Sequence, residues 1–177
     1  MTRSPSFSVP KPALLVDIDG VISIYGWTAG EPPEGAWLTV DGIVHLISAS
    51  AGRHLQELAQ SFDLWWCSGW EERANEYLPG ALGLAGPLPY VGFDRTPARG
   101  GAHWKLDAID RAIHPARSLA WIDDHLDDQC AVWAEARPGE TLLVQTAPER
   151  GLEEDHARRL KSWAANDLTR IRATEAT

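Results

Sequence analysis

The sequence contains little cysteine, and its two cysteines, Cys67 and Cys130, are too few to form a disulfide framework. Cys67 lies inside the apolar run LWWCSG, where small buried residues are common. With 177 residues, the chain is long enough to bury roughly two thirds of its unfolded surface without a covalent staple. We therefore expect one domain in a reducing, cytoplasmic compartment.

Long apolar runs are also missing from the sequence. Nowhere are there about 18 consecutive uncharged apolar residues, the length that spans a bilayer. Before Asp17 the N-terminal segment offers only the short run ALLV, which is too short for the core of a secretory signal. We therefore expect neither a membrane span nor secretion.

Positive charge is in deficit, because 16 Lys and Arg face 25 Asp and Glu, giving a net charge of −9. A protein that holds nucleic acid chiefly by neutralising phosphates needs clustered basic residues, and no Lys/Arg-rich cluster occurs here. Nucleic acid is thus a disfavoured partner, although a local basic patch stays open.

Short apolar runs that end in turn or acidic residues alternate with stretches of helical character, a pattern typical of a parallel sheet packed against helices. The predicted strands are 13–16, 63–67, 119–122 and 141–145. The predicted helices are 49–60, 71–78 (closed by Pro79-Gly80), 103–113, 127–136 and 153–166.

A small β excursion follows the first strand. Segments 37–40 and 43–47 flank Asp41-Gly42, a pair that supplies the positive φ angles of a two-residue hairpin turn. We place this flap at about 21–47 within a single domain of residues 13–169. Residues 1–12 are expected to be a flexible N-terminus and residues 170–177 a C-terminal tail.

Polar residues follow the predicted strands where ligands bind in open parallel sheets, at the strands' carboxyl ends. Asp17 and Asp19 follow the first strand, Ser68 the second, and Asp123-Asp124 the third. Carboxylates this close together need a cation, and hard divalent ions with oxygen ligands fit best. The sequence therefore predicts a Mg²⁺ site.

Four segments, ALLVDIDGV, LWWCSGW, HWKLDAID and LAWIDDH, occur in an order that resembles the haloacid dehalogenase (HAD) superfamily of phosphohydrolases. The resemblance covers about residues 13–125 and is greatest to small, minimally capped actinobacterial-type members of unassigned substrate. It implies a three-layer α/β/α sandwich with a mainly parallel, Rossmann-like sheet and no large cap domain.

The resemblance also implies roles for the acidic residues. Asp17 would attack phosphorus and become an aspartyl phosphate, while Asp19 would act as general acid and base. Mg²⁺ would be held by Asp17, the backbone carbonyl of Asp19, and the pair Asp123-Asp124, of which Asp123 is favoured for direct contact.

The remaining site residues would bind the substrate. Ser68 would hydrogen-bond a phosphoryl oxygen, and Lys105 would add positive charge, both as part of the catalytic set. The residues expected to contact the substrate are Ser68, Gly69, Lys105, Trp27, Trp70 and Arg99.

Structural alternatives exist for several of these residues. Residues 68–71 also fit a capping box at a helix start. Lys105 also fits a solvated helix lysine, in which case Arg95 or Arg99 would supply the positive charge of the site. Trp27, Trp37 and Trp70 are predicted near the mouth of the site, where packing is favoured over ligand contact. Trp65, Trp66, Trp121 and Trp133 are predicted to be core or near-core residues.

These residues lead to three ranked hypotheses. The first is a Mg²⁺-dependent phosphomonoesterase whose open site accepts a phosphorylated small molecule or macromolecule end. The second is a polynucleotide-end phosphatase of nucleic-acid repair, with Arg95, Arg99, Lys105 and aromatic residues as contacts. The third is a non-catalytic HAD-fold module that binds metal or regulates.

Overall fold

A computed structural model describes residues 11–93 and 103–175 of the chain. The strands formed in these residues are β1 (Ala13–Val16), β2 (Ser23–Ile24), β3 (Gly35–Val40), β4 (Ile43–Ser48), β5 (Asp63–Trp66), β6 (Leu119–Asp123) and β7 (Thr141–Gln145). The α-helices are α1 (Ala49–Leu58), α2 (Ala74–Ala81), α3 (Leu106–Ala112), α4 (Asp128–Ala136) and α5 (Glu154–Glu175). Among them, no helix has the length and apolarity needed to cross a membrane.

The main sheet is parallel and has the strand order β5-β1-β6-β7. The four predicted apolar runs form these four strands. The first strand is fully buried because it lies between β5 and β6 and is covered on both faces. Its position places the residue that follows it in the middle of the sheet's carboxyl edge.

Helices cover both faces of the main sheet. Leu14 and Val16 of β1 pack with α1, α2 and α5, whereas Ala13 and Leu15 pack with α3 and α4. This division follows from the two-residue period of a strand, which sends alternate side chains to opposite faces. The predicted three-layer α/β/α sandwich is therefore confirmed.

The flap after β1 is a three-stranded antiparallel sheet with the order β2-β4-β3. The predicted hairpin turns at Asp41 (φ 53°) and Gly42 (φ 80°), so both turn residues have the positive φ that this turn needs. Strand β2 was not predicted, because a strand of two residues shows no periodicity. Across the described residues the flap is the only insertion, and no large cap domain is present.

Several helix ends differ from expectation. Pro79 and Gly80 lie inside α2, which ends instead before Gly83, where a φ of 66° provides the left-handed residue that closes helices. The helix predicted over 103–113 begins at Leu106, because His103 to Lys105 form a turn. Helix α5 runs to Glu175, beyond the expected domain end at residue 169.

We expect Leu14→Ala to lower the free energy of unfolding by about 2–5 kcal/mol, because it leaves a cavity at a fully buried position of the central strand. Val132→Ala on α4 is the matched control, since this side chain is 67% exposed and the change should stay within about 0.5 kcal/mol. Urea unfolding measures both. Equal losses of unfolding free energy in the two variants would contradict the burial of Leu14.

Candidate active site

The two aspartates that end the central strands lie side by side. Strands β1 and β6 pair with Val16 opposite Ile122, so Asp17 and Asp123 occupy the next position of the register. The backbone N–H of Asp17 donates to the carbonyl of Ile122 at 3.0 Å, which fixes this alignment. Both side chains are almost fully buried at the carboxyl edge of the sheet.

Lys105 lies between these two carboxylates. Its Nζ is 2.9 Å from Oδ1 of Asp17 and 2.6 Å from Oδ2 of Asp123. The residue is only 3% exposed, so the alternative of a solvated helix lysine is wrong. Burial disfavours the ammonium charge, but the two carboxylates outweigh it and raise the pKa of Lys105, which therefore stays charged.

The turn before α3 aims Lys105 at the sheet edge. The Lys105 backbone N–H donates to Nδ1 of His103, and Nε2 of His103 lies 3.1 Å from the carbonyl oxygen of His125. Burial lowers the pKa of His103, so its ring is neutral and its Nε2–H donates to that carbonyl. His103 therefore anchors the lysine turn to the loop after β6.

A cluster of three carboxylates forms beside Lys105. Asp17, Asp123 and Asp124 each offer an oxygen atom within 4.8 Å of the others. Burial raises the pKa of Asp17 to about 6, an effect that Lys105 opposes and Asp123 reinforces. Hard oxygen donors at this spacing are the ligands that Mg²⁺ prefers, so the residues fit the predicted metal.

Gly20 makes the approach of Asp124 to this cluster sterically feasible. A Cβ atom at Gly20 would lie 2.4 Å from Cγ of Asp124, and the φ of Gly20 is 75°. Oδ2 of Asp124 accepts a 2.8 Å hydrogen bond from the hydroxyl of Tyr25, and Thr146 donates to the Gly20 carbonyl. A glycine is therefore needed at position 20, because any side chain there would collide with Asp124.

Asp19 occupies a different environment from Asp17. Its side chain is half exposed, and Oδ2 accepts a 3.0 Å hydrogen bond from Nε1 of Trp70. Nδ1 of His45 lies 3.7 Å from Oδ1. The Asp19 carboxylate is outside the group of three, so a contact with Mg²⁺ through its backbone carbonyl stays a prediction.

Ser68 follows β5 on the other side of Asp17. The Cys67 N–H donates to the Val16 carbonyl at 2.8 Å, and Ser68 is buried. The capping-box alternative is wrong, because Glu71 has a left-handed φ of 48° and its Oε1 accepts a hydrogen bond from the N–H of Phe93. Ser68 therefore lies at the edge of the sheet without acting as a helix cap.

Trp104 is a neighbour of the site that was not predicted from the sequence. The Lys105 Nζ lies 5.2 Å from the centroid of its ring, which packs against Phe93 at 4.6 Å. Half of Trp104 is exposed, next to Gly69. The position directly before the motif lysine is the only signal that pointed to it.

A pocket of about 240 Å³ opens between the flap and the sheet edge, beginning at Asp19. Arg73 and Asp41 pair through two hydrogen bonds at its far end and join the hairpin turn to the start of α2. The residues that line it are Asp19, Val40, Asp41, Ile43, His45, Gly69, Trp70 and Arg73.

Trp27, expected to contact the substrate, is not among the described residues that line this pocket. Trp27 packs edge-on against Trp37 at 6.0 Å. Trp37 pairs with Leu46, the neighbour of His45 on β4, and therefore faces the opposite side of the hairpin. Arg99, like Arg95, lies outside the described residues.

Comparison with known families supports the resemblance. Residues 13–157 match the family model described as the HAD domain in Swiss Army Knife RNA repair proteins. No curated protein matches the chain. The matched range contains the three carboxylates, Lys105, Ser68 and the flap.

We expect Gly20→Ala to abolish most of the rise in melting temperature that millimolar Mg²⁺ produces over EDTA, because the new Cβ displaces Asp124. Gly26→Ala is the matched control, since Gly26 has a φ of 79° but nothing within 4 Å of its Cβ position. In both variants the free energy of unfolding should fall by about 1–2 kcal/mol, because alanine is strained in the left-handed backbone conformation. Equal Mg²⁺ responses in the two variants would count against a metal site at Asp124.

Proposed function

Because the chain belongs to the family of HAD domains found in Swiss Army Knife RNA repair proteins, we propose that it is a phosphatase that removes a terminal phosphate from RNA through an aspartyl phosphate. The observation that carries this proposal is the buried ammonium of Lys105 between Asp17 and Asp123, beside a third carboxylate. That arrangement suits an anionic nucleophile that must approach an anionic phosphoryl group.

In the first step, a carboxylate oxygen of Asp17 attacks phosphorus, and the bond from phosphorus to the leaving oxygen breaks. Asp19 gives its proton to that leaving oxygen, which departs as an alcohol. Lys105 and the hydroxyl of Ser68 bind phosphoryl oxygens during the transfer. The phosphoryl group is then covalently attached to Asp17.

In the second step, water attacks the same phosphorus atom, and Asp19, now unprotonated, takes the proton from that water. The bond between phosphorus and Asp17 breaks, releasing inorganic phosphate and restoring the Asp17 carboxylate. Asp19 is protonated again and ready for the next substrate. Over one cycle Asp19 loses and regains a proton, while Asp17 is phosphorylated and then restored as a free carboxylate.

In this proposal magnesium would be held by the carboxylates of Asp17 and Asp124 and by the backbone carbonyl of Asp19, with Asp123 beside them. When bound, Mg²⁺ offsets the charge of the phosphoryl group and of the nucleophile. Both oxygens of Asp123 already accept hydrogen bonds, from Lys105 and Trp121 at Oδ2 and from the His125 N–H at Oδ1. We therefore favour Asp124 for direct contact, in place of Asp123.

An RNA end is the proposed substrate because of what surrounds Asp19. The leaving oxygen must touch this residue, so the rest of the substrate extends into the pocket that begins there. Trp70 and His45 line it, and such rings stack on bases of any sequence. Because the protein has a net charge of −9, we propose that it binds the end of the RNA strand rather than its phosphate backbone.

The proposal places this reaction in the cytoplasm. Cys67 and Cys130 are both free and buried, as expected of a protein in a reducing compartment.

We expect Asp17→Asn to reduce turnover of p-nitrophenyl phosphate to background, because an amide cannot form the phosphoenzyme. Asp19→Asn keeps the nucleophile, so a good leaving group should still phosphorylate it while hydrolysis of the intermediate slows. Steady-state rates and circular dichroism of parent and variants measure this. Full activity in a folded Asp17→Asn protein would refute the mechanism, and an inactive parent would favour a non-catalytic module.

We expect phosphorylated RNA oligonucleotides to be hydrolysed with a kcat/KM roughly tenfold above that of sugar phosphates, because one stacked base contributes about 1–3 kcal/mol. The slope of log kcat/KM against log salt should be shallow, corresponding to about one or two phosphate contacts. The assay compares 3′- and 5′-phosphorylated RNA, the same DNA ends, and sugar phosphates. Equal kcat/KM for all of them would contradict an RNA-end substrate.

A further inference from the structure

The indole N–H of Trp70 points at the carboxylate that the proposed mechanism uses as acid and base. Nε1 of Trp70 lies 3.0 Å from Oδ2 of Asp19. We propose that Trp70 is a positioning residue that holds Asp19 in the orientation needed to protonate the leaving oxygen. This inference rests on the proposed phosphatase activity and adds a role for a residue that makes no chemical step itself.

The loop after Ser68 holds Trp70 from both sides. Glu71, the next residue, has a left-handed φ of 48° and is fixed by the hydrogen bond from Phe93. Arg73 is tied to Asp41 across the pocket. The indole is half-buried and meets the ring of His45 edge-on, with centroids 4.8 Å apart. These contacts restrict the direction of its N–H.

The hydrogen bond distinguishes the two oxygens of Asp19. An indole N–H can only donate, so Oδ2 must act as acceptor whether or not Asp19 carries a proton. Because the unprotonated oxygen of a carboxylic acid is the better acceptor, this bond favours Oδ1 as the oxygen that carries the proton Asp19 transfers. His45 stands beside this oxygen at 3.7 Å, and its Nδ1 shares a 2.9 Å hydrogen bond with the hydroxyl of Ser23. The loop after Ser68, through Trp70, and the flap, through His45, thus both contact the carboxylate of Asp19.

Such positioning matters most when the leaving group is poor. A p-nitrophenolate leaves without being protonated, whereas an alcohol or phenol of high pKa needs the acid in place. The value of kcat/KM reports the first chemical step. A defect in Asp19 orientation should thus lower kcat/KM more strongly, the higher the pKa of the leaving group. A defect in general folding or in phosphate binding lowers it equally for all leaving groups.

The test is Trp70→Phe, which keeps the aromatic wall and removes only the N–H. It is assayed on a series of aryl phosphates from p-nitrophenyl to phenyl phosphate. We expect kcat/KM to fall about tenfold more for phenyl phosphate than for p-nitrophenyl phosphate, a small part of the roughly 10²–10⁴-fold that general acid catalysis contributes. With p-nitrophenyl phosphate, the phosphoenzyme should accumulate, because Asp19 also activates the water.

The matched control is Trp133→Phe, which removes a similar indole hydrogen bond, 3.1 Å long, to the remote carboxylate of Asp110. It should leave the dependence on leaving-group pKa unchanged. If Trp70→Phe lowers kcat/KM by the same factor for every leaving group, or not at all, the positioning role is overturned while the phosphatase stands. If the parent hydrolyses no aryl phosphate, the proposed function fails and this inference fails with it.

Discussion

A single buried ammonium group, that of Lys105, lies between the carboxylates of Asp17 and Asp123 and makes their close approach tolerable. Two carboxylates at adjacent strand ends would otherwise repel each other in a region nearly closed to water. The strand order places them there, because β1 lies directly beside β6. The turn that His103 holds in place positions the Lys105 ammonium, which compensates their negative charge. Sheet, turn and charge balance therefore depend on one another.

Asp17 and Asp19, although only two residues apart, lie in different environments. Asp17 faces the lysine and the acidic cluster, where water is scarce. Asp19 is half exposed and faces Trp70 and His45 at the entrance to the pocket. In the proposed function this contrast separates the nucleophile, which needs a charged and enclosed surrounding, from the acid, which must meet the leaving group and exchange protons with water.

Much of the fold could be predicted from the sequence, because its signals are local. The four parallel strands follow from short apolar runs, and the hairpin follows from Asp41-Gly42. Contacts between distant segments carry no such signal, which is why the partner of the Trp70 N–H and the packing of Trp104 next to Gly69 emerge only from the structure. Local signals also compete: Pro79 and Gly80 are accepted within α2, while Gly83 ends it.

The role of Asp17 as nucleophile is tested most directly by finding which residue carries the phosphoryl group. The full chain, mixed with p-nitrophenyl phosphate and Mg²⁺, is quenched in acid, digested, and mapped by peptide mass spectrometry. We expect one added phosphoryl group on the peptide that contains Asp17, and none when EDTA replaces Mg²⁺. Turnover with no phosphorylated peptide in either the parent or Asp19→Asn, or a phosphoryl group on another residue, would contradict it.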